Sequence, residues 1–476
     1  MAYVGWIIRL TALAVVAVQL LAARLPEQAA WGVWPYTALP GWVGGLAGLA
    51  AAALLVPPVN DRIAGGLQRL WAALPGKSHP RRWFAVTALA MAVPFWAMRI
   101  RHTRWGDSKF IIEALSYTGP DRPVWTVYNW QSPLTVLLHA KLWFLLNPSP
   151  GIGVGTLYAL TSIAAGIGFV YVLFLLADAL GRDRLEKVLI FGLVATTGSM
   201  ELFFGYVENY TIMSLGVLLT LYLGVRCLLG RLGPVWPALA LSAANAFHPS
   251  TVVVWPAVWY MTWRAAGMSK SRLRVWAELV IPPLLVFGAL SALMISGGHG
   301  PASLFTDDRP GGADAVMFVP LFQATTEWQH YTMFSLAHGL DWANEHFLIS
   351  PFGVLILIVT GCARLARRSS TVISPESQST GQAERGITGF LSIAGLSYLL
   401  LTFVWNPDYG GRNDWDLFAP SAFVYTLFAA YLLARTIARE PAAQAGRRAL
   451  SRVTPGLLAV SALHTAAWVY YNAVLH

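Results

Sequence analysis

Residues 154–177 read VGTLYALTSIAAGIGFVYVLFLLA and contain no charged side chain. A helix needs about 20 apolar residues to cross the hydrocarbon core of a bilayer, so this run is long enough to span a membrane. It leads into a basic turn, Gly181-Arg182-Asp183-Arg184. Basic residues that follow an apolar run are typical of the cytoplasmic end of a spanning helix. The stretch therefore predicts at least one membrane-spanning helix.

The composition extends this prediction to the whole chain. The 476 residues are 56% hydrophobic and 12% charged, with 21 Trp and a mean hydropathy of +0.55. A soluble globular protein carries about 25% charged residues, and a disordered one has low hydrophobicity. Both classes are excluded, and a polytopic membrane protein remains.

Thirteen segments are apolar enough to be candidate spans, which predicts an all-α fold and a single membrane domain over residues 1–476. Spans of about 20 residues leave roughly 216 residues for loops, too dispersed for a separate globular domain. Residues 132–147 contain His139 and Lys141 and favour a helix at the membrane interface. The candidates begin near residues 3, 42, 83, 154, 188, 209, 236, 250, 276, 346, 387, 419 and 453, and those near 188, 236 and 250 are short or contain Pro and Gly.

The charge distribution predicts which side each loop occupies. With the N-terminus inside, 24 of the 33 Lys and Arg residues lie inside and nine outside, whereas eight acids lie inside and 15 outside. The positive-inside rule favours this orientation, in a bacterial inner or plasma membrane. The net charge of +10 is then a topology signal that requires no nucleic-acid partner. Residues 1–24 could instead be a cleaved signal peptide, which would leave the downstream orientation unchanged.

The candidate chemistry is concentrated in the outer loops, 100–153, 297–345 and 406–418. The inner loops are basic, short or rich in Ser and Gln, as in 369–383, a composition typical of tethers and anchors. Cys227 and Cys362 lie at inner span ends and form neither a disulfide framework nor a metal-binding spacing.

Asp107 is the first candidate site residue, just beyond the third span. Arg104 and Lys109 flank it, and nearby positive charge favours the ionised carboxylate. Such a group can accept a proton from a hydroxyl. The alternative is a helix N-cap, because an apolar-periodic run over 108–117 follows.

Two further candidates follow at outer span ends. Glu208 stands in Phe203-Phe204-Gly205-Tyr206-Val207-Glu208-Asn209-Tyr210, and an ionisable residue at the membrane is a functional hypothesis by default. Glu208 and the neighbouring Tyr206 are both candidate substrate contacts, and the alternative for Glu208 is a solvated acid in a turn. His248 precedes Pro249 and is either a substrate contact or a hydrogen bonder at a helix end.

The loop 406–418 reads NPDYGGRNDWDLF and gathers three carboxylates, Asp408, Asp414 and Asp416. Gly410-Gly411 allows close backbone approach, and Arg412 offers a planar fork to a phosphate. Asp414 and Asp416 could bind a divalent cation through oxygen ligands. The alternative is a polar turn in which Asp416 caps the next span.

The loop 297–345 is less specific. Asp307-Asp308-Arg309-Pro310-Gly311-Gly312 indicates a flexible turn, and residues 328–347 predict an amphipathic helix on the outer surface, where it could cap a substrate groove. Neither a Gly-x-Gly-x-x-Gly nor a Gly-Lys-Ser/Thr motif occurs in a strand-to-helix context, which argues against an ATP-driven pump.

The order of these features resembles the GT-C superfamily of membrane glycosyltransferases, within it the protein O-mannosyltransferases and lipid A aminoarabinose transferases. The resemblance is best over residues 83–230. It rests on an outer loop with an acid near its start, an interfacial helix that begins Trp130-Gln131-Ser132-Pro133-Leu134, the basic turn 181–184 and the second acid in Gly205-Tyr206-Val207-Glu208-Asn209-Tyr210.

Departures from the family pattern suggest a distinct bacterial subfamily. The family commonly shows Pro-Pro-Leu where this chain has Ser132-Pro133-Leu134, and its second acid is usually Asp where this chain has Glu208. The string Asn413-Asp414-Trp415-Asp416-Leu417 is outside the usual mannosyltransferase pattern.

The resemblance implies transfer of a sugar from a polyprenyl-phosphate carrier to an acceptor hydroxyl on a glycan, lipid or protein, with Asp107 as general base. Arg104, Lys109 and Arg412 are then candidates to stabilise the leaving phosphate. A secondary transporter or lipid flippase is an alternative, although its charges would be expected near the bilayer midplane. A surface-polysaccharide ligase or polymerase is a second alternative, which would depend on Arg412 and His248 rather than on Asp107.

Overall fold

The structure, a computed structural model, describes residues 2–73, 80–117, 121–147, 152–268, 271–306, 308, 316–367, 378–438 and 443–474. This part of the chain is helical and contains no β-strand, only an isolated bridge between Phe318 and Trp405. The helices are α1 Ala2–Leu21, α2 Gly41–Ala53, α3 Pro57–Ala73, α4 Pro80–Ala90, α5 Ala92–Ala97, α6 Ser108–Ser116, α7 Pro133–Leu146, α8 Val154–Leu180, α9 Arg184–Ala195, α10 Tyr210–Leu228, α11 Val235–Phe247, α12 Trp255–Met268, α13 Arg272–Ser296, α14 Leu336–Ile349, α15 Gly353–Arg367, α16 Gln378–Val404, α17 Trp415–Ala438, α18 Ala443–Ser451 and α19 Thr454–Val474.

Among the described residues, seven helices are long and apolar enough to cross a membrane. Two further pairs pass the same test but bend sharply, α2 with α3 by 92° and α14 with α15 by 102°, so the count reaches nine if each pair is one span. The predicted all-α membrane fold is confirmed, whereas the count of thirteen spans is not. Several apolar segments form helices too short to cross alone, such as α9 with 12 residues and α11 with 13. Apolar composition indicates burial in protein or lipid, and it does not by itself fix helix length.

Helix α17 lies at the centre of the bundle. The apolar stretch that qualifies it as a span is 94% buried inside the protein, against 22% for α13. Large aromatic side chains that are fully buried line it, including Trp415, Phe423 and Tyr425. Since every face of α17 packs on protein, its ends are held by neighbours from both halves of the chain, α9 and α15 among them.

The short helices predicted outside the spans are present with adjusted ends. Helix α6 occupies almost all of the predicted 108–117, and α7 occupies the predicted 132–147. Helix α14 begins at Leu336 rather than at 328, because the Ser335 side chain accepts a hydrogen bond from the His338 N–H and starts the helix there. The turn 307–312 lies outside the described residues except for Asp308, and so does 369–377 of the inner segment 369–383.

Helix α8 defines the long dimension of the bundle. Its 27 residues correspond to about 40 Å at 1.5 Å per residue. Tyr158, near its first residue, faces the loop that carries Asp107, and the carbonyl of Leu180 at its last residue accepts a hydrogen bond from Arg435. We call these two ends of the bundle the acidic end and the basic end.

Candidate active site

A cavity of about 130 Å³ opens at the acidic end. Asp107 and His248 both line it, together with the parallel rings of Phe110 and Trp125, whose centroids lie 5.4 Å apart. The remaining polar lining is uncharged and comprises Thr126, Asn129, Gln131, Ser132, Tyr158, Asn209 and Tyr210. Asp107 is the one carboxylic acid among the described residues that line the cavity.

Asp107 directs its carboxylate away from helix α6. Its side chain makes no capping hydrogen bond to that helix, although it occupies the N-cap position. Instead, the Tyr409 hydroxyl donates to Asp107 Oδ1 at 3.0 Å. The structure thus gives no support to the alternative that Asp107 serves as a cap. Burial raises the pKa of Asp107, and the hydrogen bond from Tyr409 opposes that rise by stabilising the ionised form.

Glu208 lies directly behind Asp107 and holds its backbone. Glu208 Oε1 accepts from the Asp107 N–H at 2.5 Å, and Oε2 accepts from the Asn209 N–H at 3.0 Å. The Ser108 hydroxyl adds a hydrogen bond to the Val207 carbonyl at 2.9 Å. These contacts join the start of α6 to the start of α10. Burial, Asp416 and Asp107 together raise the pKa of Glu208 well above its usual value.

Gly106 allows a third carboxylate to approach. Its φ of +51° is in the left-handed region that favours glycine. A Cβ added there would lie 2.7 Å from Glu208 Oε1 and 2.9 Å from Asp416 Oδ2. Both carboxyl groups therefore occupy the space that a side chain would take. One Asp416 oxygen, Oδ1, is buried and has no hydrogen-bond partner among the described residues.

The loop that precedes α17 is folded back on itself and presents Tyr409 to Asp107. Asp414 Oδ2 accepts from the Tyr409 N–H at 2.7 Å, and Gly410 turns the chain with a φ of +77°. The Gly106 N–H donates to the Asn413 carbonyl at 2.8 Å and fastens this loop to the Asp107 loop. Burial raises the pKa of Asp414 to about 8, to which the nearby carboxylate of Asp107 also contributes.

The carboxylates at Asp414 and Asp416 do not fit the predicted divalent cation. No group of three or more His, Cys, Asp or Glu side chains in the described part of the chain is arranged to hold a metal ion. One Asp414 oxygen is already engaged by a backbone N–H, which leaves a smaller donor set than a hard cation requires. We therefore derive no chemical step through a metal at this pair.

His248 contributes a neutral hydrogen-bond donor. Its Nδ1 accepts from the Ser250 N–H at 3.2 Å, so the ring hydrogen is assigned to Nε2. Burial lowers the pKa of His248 to about 4, which keeps the imidazole neutral at physiological pH. The ring lies 5.0 Å from that of Tyr210, which also lines the cavity. His248 is thus both the cap of the 3-10 helix Pro249–Val254 and a cavity residue.

The second long loop supports the polar wall of the cavity from outside. Asp308 Oδ2 accepts from the Trp130 N–H at 2.7 Å and pairs with His299 Nε2 at 2.7 Å. The Trp130 indole in turn donates to the His299 carbonyl at 3.1 Å. These buried contacts fix residue 130 between Asn129 and Gln131, whose side chains line the cavity.

The three basic residues predicted to stabilise the leaving phosphate do not line the cavity. Lys109 pairs with Glu113 at 3.8 Å and is 74% exposed, and Arg412 pairs with Glu27 at 2.5 Å. The backbone N–H of Arg104 donates to His102 Nδ1. Tyr206 is buried beneath the site, with its ring 5.4 Å from that of Trp415. The structure therefore brings Asp107, Glu208 and Asp416 together around Gly106, with His248 across the cavity, and directs the Arg412 side chain elsewhere.

Several site residues were not singled out from the sequence. Tyr409 is the most informative, because it touches Asp107 across more than 300 residues of chain. Its only sequence signal is its place inside the loop 406–418, which we call the acidic loop. Asn129, Gln131 and Asn209 carry ordinary polar side chains in loops, and no local pattern distinguishes them from solvent-facing residues.

No family model matches the chain, and no curated protein matches it. The archaeal oligosaccharyltransferase AglB from Archaeoglobus fulgidus, solved with an inhibitory peptide and a dolichol-phosphate, is similar at a TM-score of 0.40 and 15% identity. That match covers 82% of this chain and 56% of AglB, so the chain spans little more than half the length of that protein. ArnT from Cupriavidus metallidurans, in the apo state, is similar at a TM-score of 0.34 and 11% identity over 77% of each chain.

Both solved proteins are GT-C membrane glycosyltransferases, the superfamily that the sequence resembles. The TM-scores and identities are nevertheless too low to transfer an activity or a substrate to this chain. The function is therefore argued from the residues around the cavity.

Proposed function

We propose that this protein is a membrane glycosyltransferase that moves a sugar from a polyprenyl-phosphate donor to an acceptor hydroxyl, with Asp107 as the general base. The observation that carries the proposal is the position of Asp107. It is the one acid on a cavity wall that is otherwise apolar or uncharged, and both its backbone and its carboxylate are held in place. A fixed carboxylate facing a cavity of this kind suits proton removal from a neutral hydroxyl.

The reaction balances without a cofactor. Asp107 takes the proton of the acceptor hydroxyl, and the acceptor oxygen forms a bond to the anomeric carbon of the donor sugar. The bond between that carbon and the phosphate oxygen breaks, and its electron pair leaves with the lipid phosphate. The proton stays on the Asp107 carboxyl until solvent removes it.

The uncharged lining suits a sugar. The side-chain amides of Asn129, Gln131 and Asn209 can both donate to and accept from sugar hydroxyls, and the paired rings of Phe110 and Trp125 offer an apolar face. The Nε2–H of His248 is a donor for the leaving phosphate. Arg104, Lys109 and Arg412 could act on that phosphate only after their side chains move towards the cavity.

The acceptor is a hydroxyl of a glycan, lipid or protein, and the site faces outward if the N-terminus is cytoplasmic. A lipid donor suits this arrangement, because its tail can remain among the spanning helices while its phosphate reaches the acidic end. No nucleotide is required at the site, since the sugar arrives already activated as a phosphate ester.

The direct test is transfer of a radiolabelled sugar from polyprenyl-phosphate donors by the purified full chain. Asp107→Asn keeps the shape but cannot accept a proton, and we expect its transfer rate to fall by about 10²- to 10⁴-fold. Glu113→Gln on the same helix is the matched control, because Glu113 is 65% exposed and pairs only with Lys109 among the described residues. Its rate should stay near that of the wild type.

Three outcomes would contradict the proposal. Undiminished transfer by Asp107→Asn would remove Asp107 from the base role. Gradient-driven uptake into proteoliposomes without any sugar transfer would indicate a transporter or flippase. Loss of activity in Arg412→Gln and His248→Ala, with Asp107→Asn active, would indicate a polysaccharide ligase or polymerase.

A further inference from the structure

A second cavity, of about 560 Å³, lies at the basic end of the bundle. It is separated from the Asp107 cavity by the length of α8. Its walls are one face of α3, the first residues of α9 and one face of α18. Asp61, Gly65 and Gln68 recur at helical spacing on α3, and Arg447, Arg448 and Ser451 do so on α18.

The two acids in this cavity already have partners. Asp183 Oδ1 accepts from the N–H groups of Leu185 and Glu186 at 3.0 Å, and its Oδ2 pairs with Arg447 at 3.2 Å. Asp61 in α3 accepts from the Ser451 hydroxyl at 2.5 Å and pairs with Arg452 at 3.3 Å. These contacts tie α18 to both of the other walls.

Two arginines on the cavity wall remain available. Arg184 and Arg448 are exposed and line the cavity, and neither has an ion-pair partner among the described residues. They stand on different walls, Arg184 at the start of α9 and Arg448 on α18. The cavity therefore has positive charge on two sides that the described acids do not neutralise.

The turn that carries Arg184 is held in place by buried ion pairs on the protein side. The buried carboxylate of Glu186 pairs with Arg182 at 2.9 Å and with Arg435 at 2.6 Å. Arg435 Nη2 also donates to the Leu180 carbonyl at 2.6 Å. Because this charge is satisfied inside the protein, the position of Arg184 does not depend on an external partner.

The helix that forms the third wall points to a lipid. Helix α3 bends by 92° from α2, and on the side away from the cavity it exposes Ile63 by 41% and Leu70 by 61%. An exposed apolar face opposite a polar cavity face is the pattern of a helix lying at a membrane surface. A ligand between Arg184 and Arg448 would then be at headgroup depth.

We propose that this cavity binds the phosphate of an anionic lipid headgroup between Arg184 and Arg448. Arginine forks match phosphate oxygens in geometry and in charge, and basic pockets between spanning helices on the cytoplasmic side bind such headgroups. The volume is within the range of small-molecule sites. The proposal is independent of the sugar-transfer activity proposed above.

The test is native mass spectrometry of the detergent-solubilised full chain titrated with dioctanoyl phosphatidic acid. Dioctanoyl phosphatidylcholine and inorganic phosphate serve as separate arms. We expect phosphatidic acid to bind, Arg184→Gln and Arg448→Gln each to weaken it by about fivefold, and the double variant by about 25-fold, from roughly 1 kcal/mol per arginine. Arg62→Gln, an exposed arginine of α3 outside the cavity, is the control and should leave binding unchanged.

Arg184→Lys with Arg448→Lys preserves the charge and should retain most of the binding, which separates lost recognition from lost folding. Equal affinity of the wild type and the double Gln variant for phosphatidic acid would overturn the proposal. Equal binding of phosphatidylcholine would overturn the anionic requirement. Binding of inorganic phosphate as tightly as phosphatidic acid would overturn the proposal that the ligand is a lipid and would indicate a soluble phosphate instead.

Discussion

At the scale of single residues, the site depends on how two neighbours hold Asp107, one through its backbone and the other through its carboxylate. Glu208 holds the Asp107 backbone, and Tyr409 contacts its carboxylate. The first contact fixes where Asp107 is, and the second affects how readily it holds a proton. Burial raises the pKa of Asp107, so a base of this kind reaches its ionised, active form at a higher pH than an exposed carboxylate.

Removing the Tyr409 hydroxyl should make this effect larger. Tyr409→Phe deletes a hydrogen bond that stabilises the ionised Asp107, so the pKa of Asp107 should rise further. A base works above its pKa. The acid limb of the transfer rate against pH should therefore move to higher pH. Transfer rates measured from pH 4 to pH 9 provide the check.

Tyr36→Phe is the control for that experiment, because the Tyr36 hydroxyl donates to the Gly44 carbonyl and Tyr36 is not among the residues that line the cavity. Its profile should overlay that of the wild type. A Tyr409→Phe profile that overlays the wild type, or that moves to lower pH, would show that the hydrogen bond does not tune Asp107.

The sequence predicted those site residues whose side chains are costly to bury, because such residues stand out from their neighbours in the sequence. Asp107 and Glu208 stand out because acids next to spanning helices are rare, and both lie at the cavity or directly behind it. Arg412 shows the limit of that reasoning. Its neighbours in the sequence lie near the site, but its guanidinium pairs with Glu27, almost 400 residues earlier. An ion pair between residues so far apart in the sequence is determined by the tertiary fold.

At the scale of elements, helix α14 positions the acidic loop through one side chain. Asp341 Oδ1 accepts from the Trp31 indole at 3.0 Å. Its Oδ2 accepts from the Tyr331 hydroxyl at 2.9 Å and from the Gly411 N–H at 3.0 Å. Three separate segments therefore meet at one carboxylate, and one of them is the loop that presents Tyr409.

Loss of this carboxylate should loosen the loop. In Asp341→Ala, we expect the free energy of unfolding to fall by about 1–3 kcal/mol, because three donors lose a common acceptor. Backbone amides of residues 408–413 should exchange hydrogen faster, and the transfer rate should fall. Hydrogen–deuterium exchange read by mass spectrometry measures the exchange of the 408–413 amides directly.

Asn344→Ala is a matched control from the next turn of the same helix. Asn344 accepts from the Gly32 N–H at 3.0 Å and donates to the Ala29 carbonyl at 2.9 Å, so it ties α14 to the N-terminal segment alone. Its loss should leave exchange in 408–413 unchanged. Equal protection of the loop in Asp341→Ala and the wild type would contradict the anchoring role.

Element boundaries were less predictable than the elements themselves. The apolar periodicity near 328–347 indicated a helix, yet eight residues of that range precede α14 because the cap falls at Ser335. Likewise, the apolar run near residue 83 is divided between α4 and α5. Breaks of this kind depend on which helix each segment packs against, and hydropathy along the chain does not contain that information.

At the scale of the whole molecule, the two ends of the bundle differ in charge. The acidic end carries Asp107, Glu208, Asp414 and Asp416, and the basic end carries Arg184, Arg435, Arg447 and Arg448. The positive-inside rule predicts that the basic end faces the cytoplasm and that the acidic end faces outward.

This orientation can be tested with single cysteines in a chain in which Cys227 and Cys362 are replaced by Ser. Lys109→Cys in α6 and Arg274→Cys near the start of α13, a segment that the charge distribution predicts to be inside, are suitable positions, since the native side chains are 74% and 80% exposed. A membrane-impermeant maleimide added to intact cells should label Lys109→Cys and leave Arg274→Cys unlabelled until the membrane is opened. Labelling in the reverse pattern would invert the topology.

Helix α17 fixes how the acidic end and the basic end are rotated relative to each other about its axis. Asp416 lies in the first turn of α17 and Arg435 in its last, and the helix between them is enclosed by protein. One inserted or deleted residue turns everything beyond it by about 100°, so either the carboxylate or the guanidinium would leave its partners. The number of residues from 416 to 435 is therefore as much a part of both sites as the side chains themselves, and we expect a one-residue insertion or deletion within α17 to disrupt one of the two ends.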